Sequence, residues 1–546
     1  MKTVFHCRSL STLFVLLAVS LASAAKKGEL PKNATVEQAI DFYIGKKLAD
    51  EGVSPAGSAS DSTLIRRLTL DLVGRIPTTY AAKAFVADKD KKKRLKLIDR
   101  LIKTSEFASH QADEFDTMLM FGSGGSLRGY LEKALGKNRP WDQMFRDMIL
   151  VQDDFAKKNG AAEFIKRRVK DLDKLTNATS VVFFGVNISC AKCHDHPLVQ
   201  DWKQDHFYGM KSFFNRTFDN GGFIAERSTG IVNFKTTTGQ SRKAKLMFLT
   251  GKVLTEPKSP DKKALKKEKA MLASFKKKKK QAPLPQFSRR ATLVDAAIKD
   301  TEKYFLARSI VNHMMARFLG RGLVMPVDQL HSENEPSHPE LLQWLAADFV
   351  KHKYDLRRLI RGILLTDVYA RSSQWDSAAD RPEEELFAVG QLRALTPRQY
   401  AYSLRLGAAN PDQFQPVQKN KKKQDVTARL KNVRNQANGL VSHFEQPRYD
   451  DFQISVDEAL VMTNGKSIRD NLLNEGGDRL IGKLKKLKSS KEKITTAVWS
   501  VMSRAPEKEE LAVLTKYLES RKDRQAAALR QLVWALLSSS ECRFNH

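Results

Sequence analysis

Four cysteines in a chain of 546 residues cannot staple a fold together. Secreted domains that rely on disulfides carry a far denser pattern. Here Cys7 lies in the first segment, and only Cys190, Cys193 and Cys542 remain. Long apolar runs are missing as well. Beyond the N-terminal segment no stretch approaches the roughly 18 consecutive apolar residues of a membrane span, so no transmembrane segment is expected after that segment is removed. The G-x-S-x-G elbow, the H-E-x-x-H helix and the P-loop are all absent, which leaves a common hydrolase or NTPase without positive support. Acidic residues are scarce: 62 stand against 94 Lys and Arg, a formal net charge of +32. That imbalance implies attraction to anionic surfaces and does not by itself imply a fold.

What is present fits an exported globular protein. The chain is 41% hydrophobic and 29% charged, and it is long enough for two to four domains, each with its own core. Residues 1–24 read as a secretory signal peptide. Lys2 and Arg8 form the basic start, Leu10 to Leu21 the apolar stretch, and Ala22-Ser23-Ala24 the cleavage site. An uncleaved signal anchor is the alternative. Export to the periplasm, the cell surface or the medium is expected, and nucleic acid is not an expected partner there.

The rest divides by periodicity. Residues 25–214 predict an N-terminal helical domain. Thr35 to Gln38 opens a first helix as a capping box, Leu64 to Val73 and Leu95 to Ile102 carry helical spacing, and so does Trp141 to Leu150. Residues 215–256 predict a small β-rich element with strands at 231–238 and 245–250. Residues 257–290 hold thirteen Lys or Arg against two acids; such a run usually forms a solvated linker. Residues 291–546 predict a C-terminal helical domain with starts at Thr292, Ser337 and Ser455, a C-cap at Gly320, and lysine clusters at 419–423 and 483–493. The fold class is therefore mainly α: two helical domains, a small β-rich insertion and a basic linker. An apolar segment ending in Thr or Ser recurs before Phe107, Tyr369 and Cys542, which makes Cys542 a small core residue.

Cys190-Ala-Lys-Cys193-His194 is the stretch most informative about function. Its C-x-x-C-H spacing suits covalent haem c attachment: each thiol adds to one vinyl group, and the adjacent imidazole binds one axial face of the iron. Cys190, Cys193 and His194 are then the cofactor-binding residues. His206 or Met210 supplies the second axial ligand better than His196, which lies too near His194 to reach the opposite face. Phe183, Phe184, Phe207, Phe213 and Phe214 offer an apolar wall, although core packing is the commoner fate of such residues. Zinc or another metal is the alternative, held by both thiols and two of His194, His196 and His206. A disulfide or structural thiols is the third. Asp195, Asp201 and Asp205 are placed to orient histidine rings, and His338 reads as part of a helix start. The haem reading predicts electron transfer or redox support with a redox partner protein. A different reading is a cell-surface binding or scaffold protein, its basic stretches docking on an anionic polymer or polysaccharide.

Several longer segments together carry a resemblance. Arg66 to Pro77, Phe184 to Pro197 and Trp202 to Phe214 form one set; Ile310 to Val324, Pro336 to Leu342, Tyr354 to Ile360 and the closing Leu536 to Glu541 form another. The chain resembles secreted, planctomycete-type proteins that join a cytochrome-associated domain of unknown function to a second, C-terminal one. The resemblance implies export and suggests haem through the same C-x-x-C-H residues. It brings no established reaction.

Overall fold

The computed structural model describes residues 29–416, 425–444 and 455–546. The expected signal peptide and the lysine cluster at 419–423 lie outside the described residues. The described residues form a mainly α-helical fold with three two-stranded antiparallel sheets. None of their helices is long and apolar enough to cross a membrane.

Local chemistry places many helix ends where expected. Thr35 and Gln38 form the reciprocal capping box of helix Val36–Asp50, satisfying backbone N–H groups that lack intrahelical partners. Helix Asp61–Val73 stops at Gly74, whose φ is 75°. A Cβ there would meet His110 Nδ1 at 2.5 Å, so both the left-handed backbone and the close packing require glycine. Helix Trp141–Leu150 has the expected bounds, Ser455 caps helix Val456–Asn464, and Gly320 ends helix Phe305–Leu319. Two starts differ. Ser288 rather than Thr292 caps helix Arg289–Ile298. Helix Pro339–Lys351 starts without a side-chain cap; Pro339 tolerates its missing N–H in a first turn.

The β-rich insertion pairs β1 (Thr217–Asp219) with β2 (Ile224–Glu226), and β3 (Asn233–Lys235) with β4 (Ser241–Lys243). The expected strand at 245–250 is reduced to one bridge, Met247 to Val253. Its Leu246, Phe248 and Leu249 are buried in the main core, so packing rather than pairing fixes them.

The basic segment is not a free linker. Helix Lys262–Lys277 occupies its middle, capped by Asp261. Leu272 and Ala282 pack on Ala225 of β2, with Phe218, Met271 and Phe275 around them. Leu265, Leu272 and Phe275 recur at helical spacing and the lysines take the other face. The segment then closes on the insertion through ion pairs. Arg290 meets Glu226 at 3.1 Å with both side chains fully buried, and Arg289 meets Glu256 at 2.6 Å.

The hydrophobic cores do not follow the expected division either. One core runs from Val36 to Val389 and joins the N-terminal helices to helices 305–319, 339–351 and 356–365. The second runs from Leu395 to Cys542 and takes Leu70 and Ile76 from the first part of the chain. Helix Asp61–Val73 therefore serves both: Leu68 and Leu72 enter the first core and Leu70 the second. Every residue from Leu64 to Val73 is buried, including Arg66, Arg67 and Asp71.

Asp71 binds the parts together. Arg393 in β5 (Arg393–Ala394) donates to both carboxylate oxygens, at 2.9 and 2.8 Å. The Tyr369 hydroxyl donates at 2.8 Å, and Asn545 in β6 (Phe544–Asn545) at 2.9 Å. Replacing Asp71 with Asn leaves Arg393 without its bidentate partner in a buried site, and should lower unfolding stability by about 3–5 kcal/mol. Urea denaturation followed by circular dichroism measures this; a loss below about 1 kcal/mol contradicts the role given to Asp71.

Candidate functional site

Helix Leu172–Phe184 delivers the chain to the cysteine motif. It ends at Gly185, with φ 66°, where a Cβ would lie 2.5 Å from Leu330. Leu330 and Asp328 clamp the next residues, through Leu330 N–H to Gly185 C=O at 2.9 Å and Asn187 N–H to Asp328 C=O at 3.0 Å. A single 3₁₀ turn, Cys190–Lys192, follows.

Three residues per turn bring positions i and i+3 to the same side, and the burial pattern fits. Ser189 and Lys192 line a large cleft. Ala191 is buried, and Cys190 and Cys193 share an exposed side as free thiols. Helix Gln204–Phe214 holds the turn from behind. Gln204 Nε2 donates to Cys193 C=O at 3.1 Å, and the Tyr208 hydroxyl to Lys192 C=O at 3.0 Å.

The three histidines near the turn are not equivalent. His194 Nδ1 lies 2.7 Å from the Asp195 carbonyl oxygen. A carbonyl only accepts, so in the neutral ring Nδ1 carries the proton and Nε2 keeps its lone pair. His196 Nδ1 accepts from Leu198 and Val199 N–H at 3.3 and 3.1 Å, and His206 Nδ1 accepts from Lys203 N–H at 3.2 Å. A neutral ring whose Nδ1 accepts must carry its proton on Nε2. His194 alone of the three presents an unprotonated Nε2. Met210 is fully buried in the main core. The described residues contain no group of three or more His, Cys, Asp or Glu placed to hold a metal ion.

The remaining expected residues have other work. Phe183, Phe184, Phe207, Phe213 and Phe214 belong to the main core; Phe183 packs on Phe145 with ring centroids 4.8 Å apart. Asp195 accepts from Gln204 N–H at the start of its helix, Asp201 from Ser332 N–H, and Asp205 pairs with Arg242. Cys542 is buried in the second core, as expected. His338 is buried beside Ser337 Oγ, and burial pushes its ring down to about 4.

A second candidate region carries no sequence motif. The cleft that the turn borders encloses about 1750 Å³ where the two cores meet. One face of each of three helices lines it: Glu114, Thr117 and Met118 from helix Ser105–Met120; Lys174, Asn177, Ala178 and Val181 from helix Leu172–Phe184; and His313, Ala316 and Arg317 from helix Phe305–Leu319. Asp71, Arg393 and Thr396 also line it.

Glu114 is loosely held there. Thr396 Oγ1 donates to it at 3.4 Å, Arg317 Nε lies 3.9 Å away and His110 Nδ1 3.8 Å. Protein surrounds the carboxyl, yet 18% of the side chain stays open to water. Burial raises its pKa, with Asp113 and Asp71 adding to the rise and Arg317 opposing it. In the sequence the region shows only as charges inside apolar helical runs, Asp71 among Leu68, Leu70 and Leu72. That signal marks a polar site but not its partners.

Residues 39–219 match the family model PSCyt2, a protein of unknown function (DUF1549), and residues 289–518 match PSD1, a protein of unknown function (DUF1553). The chain carries these two domains in that order. No curated protein and no solved structure matches it.

The raised Glu114 pKa has a definite sign. Between the unfolded value, about 4.3, and the folded one, the folded state holds more protons, so stability falls as pH rises through that window. Glu114→Gln removes this titration. Its melting temperature should exceed that of the unsubstituted protein at pH 7–8, and the difference should vanish below about pH 4. Scanning calorimetry across this range checks it; a Gln variant less stable at pH 8 contradicts the assignment.

Proposed function

We propose that the chain is an exported c-type haem protein serving electron transfer or redox support. Cys190 and Cys193 would carry the thioethers and His194 would supply a nitrogen ligand. The observation that supports this reading best is the His194 ring, whose Nδ1 donates to the Asp195 carbonyl and leaves Nε2 available. Fixing one ring nitrogen by a backbone acceptor is how proteins orient a metal-ligating histidine. The thiols fit too, being free, exposed and on one side of a short turn.

Bound haem supplies one-electron chemistry; the chain's residues attach and orient it. Side-chain hydrogen bonds from Gln204 and Tyr208 to backbone carbonyls hold the turn, and Leu330 N–H holds Gly185 ahead of it. The aromatic side chains that offered a wall are packed into the core, their commoner fate, so this reading would leave the group at the exposed turn, where a redox partner protein can approach. His196 and His206 spend Nδ1 on backbone N–H groups and Met210 is enclosed. None of these three residues would supply the group with a second ligand from this chain. Zinc is the weaker alternative because a Cys₂His₂ site needs two histidine lone pairs. Attachment outside the cytoplasm agrees with the signal peptide read at residues 1–24.

A second role, docking on an anionic polymer or cell-surface polysaccharide, rests on helix Lys262–Lys277. Its lysines, continuing through Lys280, face solvent while Leu272 packs inward. Deleting residues 257–290 would remove the buried Arg290, so charge substitution is the cleaner probe.

Two outcomes test these proposals. Full-length protein matured in an exporting host that attaches c-type haem should show a Soret band that survives denaturation and acid–acetone extraction, and Cys190→Ala/Cys193→Ala should abolish it. Folded protein that stays colourless with stoichiometric zinc by elemental analysis would defeat the haem proposal. Substituting Lys277, Lys278 and Lys280 with Gln should lower the salt needed to elute the protein from an acidic polysaccharide matrix; unchanged elution rejects the docking role.

A further inference from the structure

The large cleft has features that the cysteine turn does not use. Arg168 lines it and is 7% exposed, and no carboxylate among the described residues pairs with it. Its guanidinium donates to the carbonyl oxygens of Phe164 and Leu119 at 3.0 and 2.9 Å and lies over the Phe164 ring. Carbonyl dipoles fix its position but do not neutralise a full charge, and burial pushes it down to about 10. Two further groups on the lining lack partners: Asn177 Oδ1, and Nε2 of His313, which is 8% exposed. Helices Leu172–Phe184 and Phe305–Leu319, which carry these two residues, pack directly together. Buried polar atoms usually find a partner, and an unpartnered one on a cleft wall is a position that a water or a ligand can satisfy. At the rim, Phe121 is 87% exposed and Leu392 58%.

We propose that this cleft binds an acidic oligosaccharide, with Arg168 taking its sulfate or carboxylate, Asn177 and His313 its hydroxyls, and Phe121 the apolar face of a sugar ring at the mouth. Size argues for an oligomer, because about 1750 Å³ exceeds the roughly 300–1,000 Å³ of ordinary small-molecule pockets. Scattered single hydrogen-bonding groups beside a flat exposed ring suit a chain of hydroxylated rings. An acidic peptide is the competing occupant, because loops and Arg393, Ala394 and Phe544 of β5 and β6 line the cleft beside the helices, and an extended peptide gains its affinity from an open strand edge. The net charge of +32 draws a polyanion toward the protein, and on the cleft lining Arg167, Arg168, Lys174 and Lys192 stand beside the carboxylates Asp171, Asp173 and Asp328. The site is separate from the thiols and does not depend on what they hold.

Titration calorimetry of full-length protein in 0.2 M salt provides the test, using sulfated galactan, polyuronate and neutral glucan hexamers and an acidic hexapeptide as probes. At least one acidic hexasaccharide should bind at least tenfold more tightly than the neutral one. The sulfated and uronate arms identify which anion Arg168 takes. Phe121→Ala changes only an exposed side chain and should weaken binding at least fivefold with an unaltered melting temperature; Asn177→Leu should do the same in the wall. If Arg168→Lys unfolds the protein, these two variants carry the test alone. Equal affinity for the neutral hexamer, tighter binding of the peptide, or undiminished affinity in both Phe121→Ala and Asn177→Leu overturns the proposal.

Discussion

One buried carboxylate sets the architecture. Asp71 accepts four hydrogen bonds, two from Arg393 and one each from Tyr369 and Asn545. Its donors come from three segments at least 298 residues further along the chain. Leaving any of these groups buried without a partner is expensive, so the carboxylate sits in its helix only if all three segments arrive. The neighbouring arginines repeat the logic. Arg66 donates to the carbonyls of Val501, Glu541 and Cys542, and Arg67 to those of Arg371 and His546. A helix buried on every side thus uses its few charges to hold the end of the chain against its beginning.

That constraint explains why the two matched domains and the two cores differ. The matched domains are separated by residues 220–288, which hold most of the β-rich insertion and the basic segment, whereas the cores divide near residue 390. Helices on both sides of the basic segment share one apolar interior, and the segment itself is pinned by Arg290 on Glu226 at zero exposure. The cleft is a consequence. It opens where the two cores meet around the Asp71–Arg393 pair, and the cysteine turn forms part of its edge.

The cysteine turn was legible in the sequence to the extent that its chemistry is local. Spacing alone marked two thiols three residues apart with an imidazole directly after the second. Ring tautomers were not legible, because they depend on which backbone groups lie nearby. His194 faces a carbonyl, whereas His196 and His206 face N–H groups. The aromatic run around the motif was readable as apolar, and its burial in the core is the commoner fate of such residues. Lysine count concealed the helix at 262–277, since charge is conspicuous and three apolar residues at helical spacing are not.

By itself the sequence determined what short-range physics controls. Caps at Thr35, Gly74 and Ser455, the mainly helical class and the spacing of Cys190, Cys193 and His194 all follow from interactions within a few residues. Tertiary structure alone decided which helices share a core, which charges lose their water, and where a cleft remains. Those outcomes depend on groups hundreds of residues apart, as Asp71 and Asn545 are. No local pattern encodes them, because the free energy of a buried charge is set by the donors that surround it rather than by its neighbours in the chain.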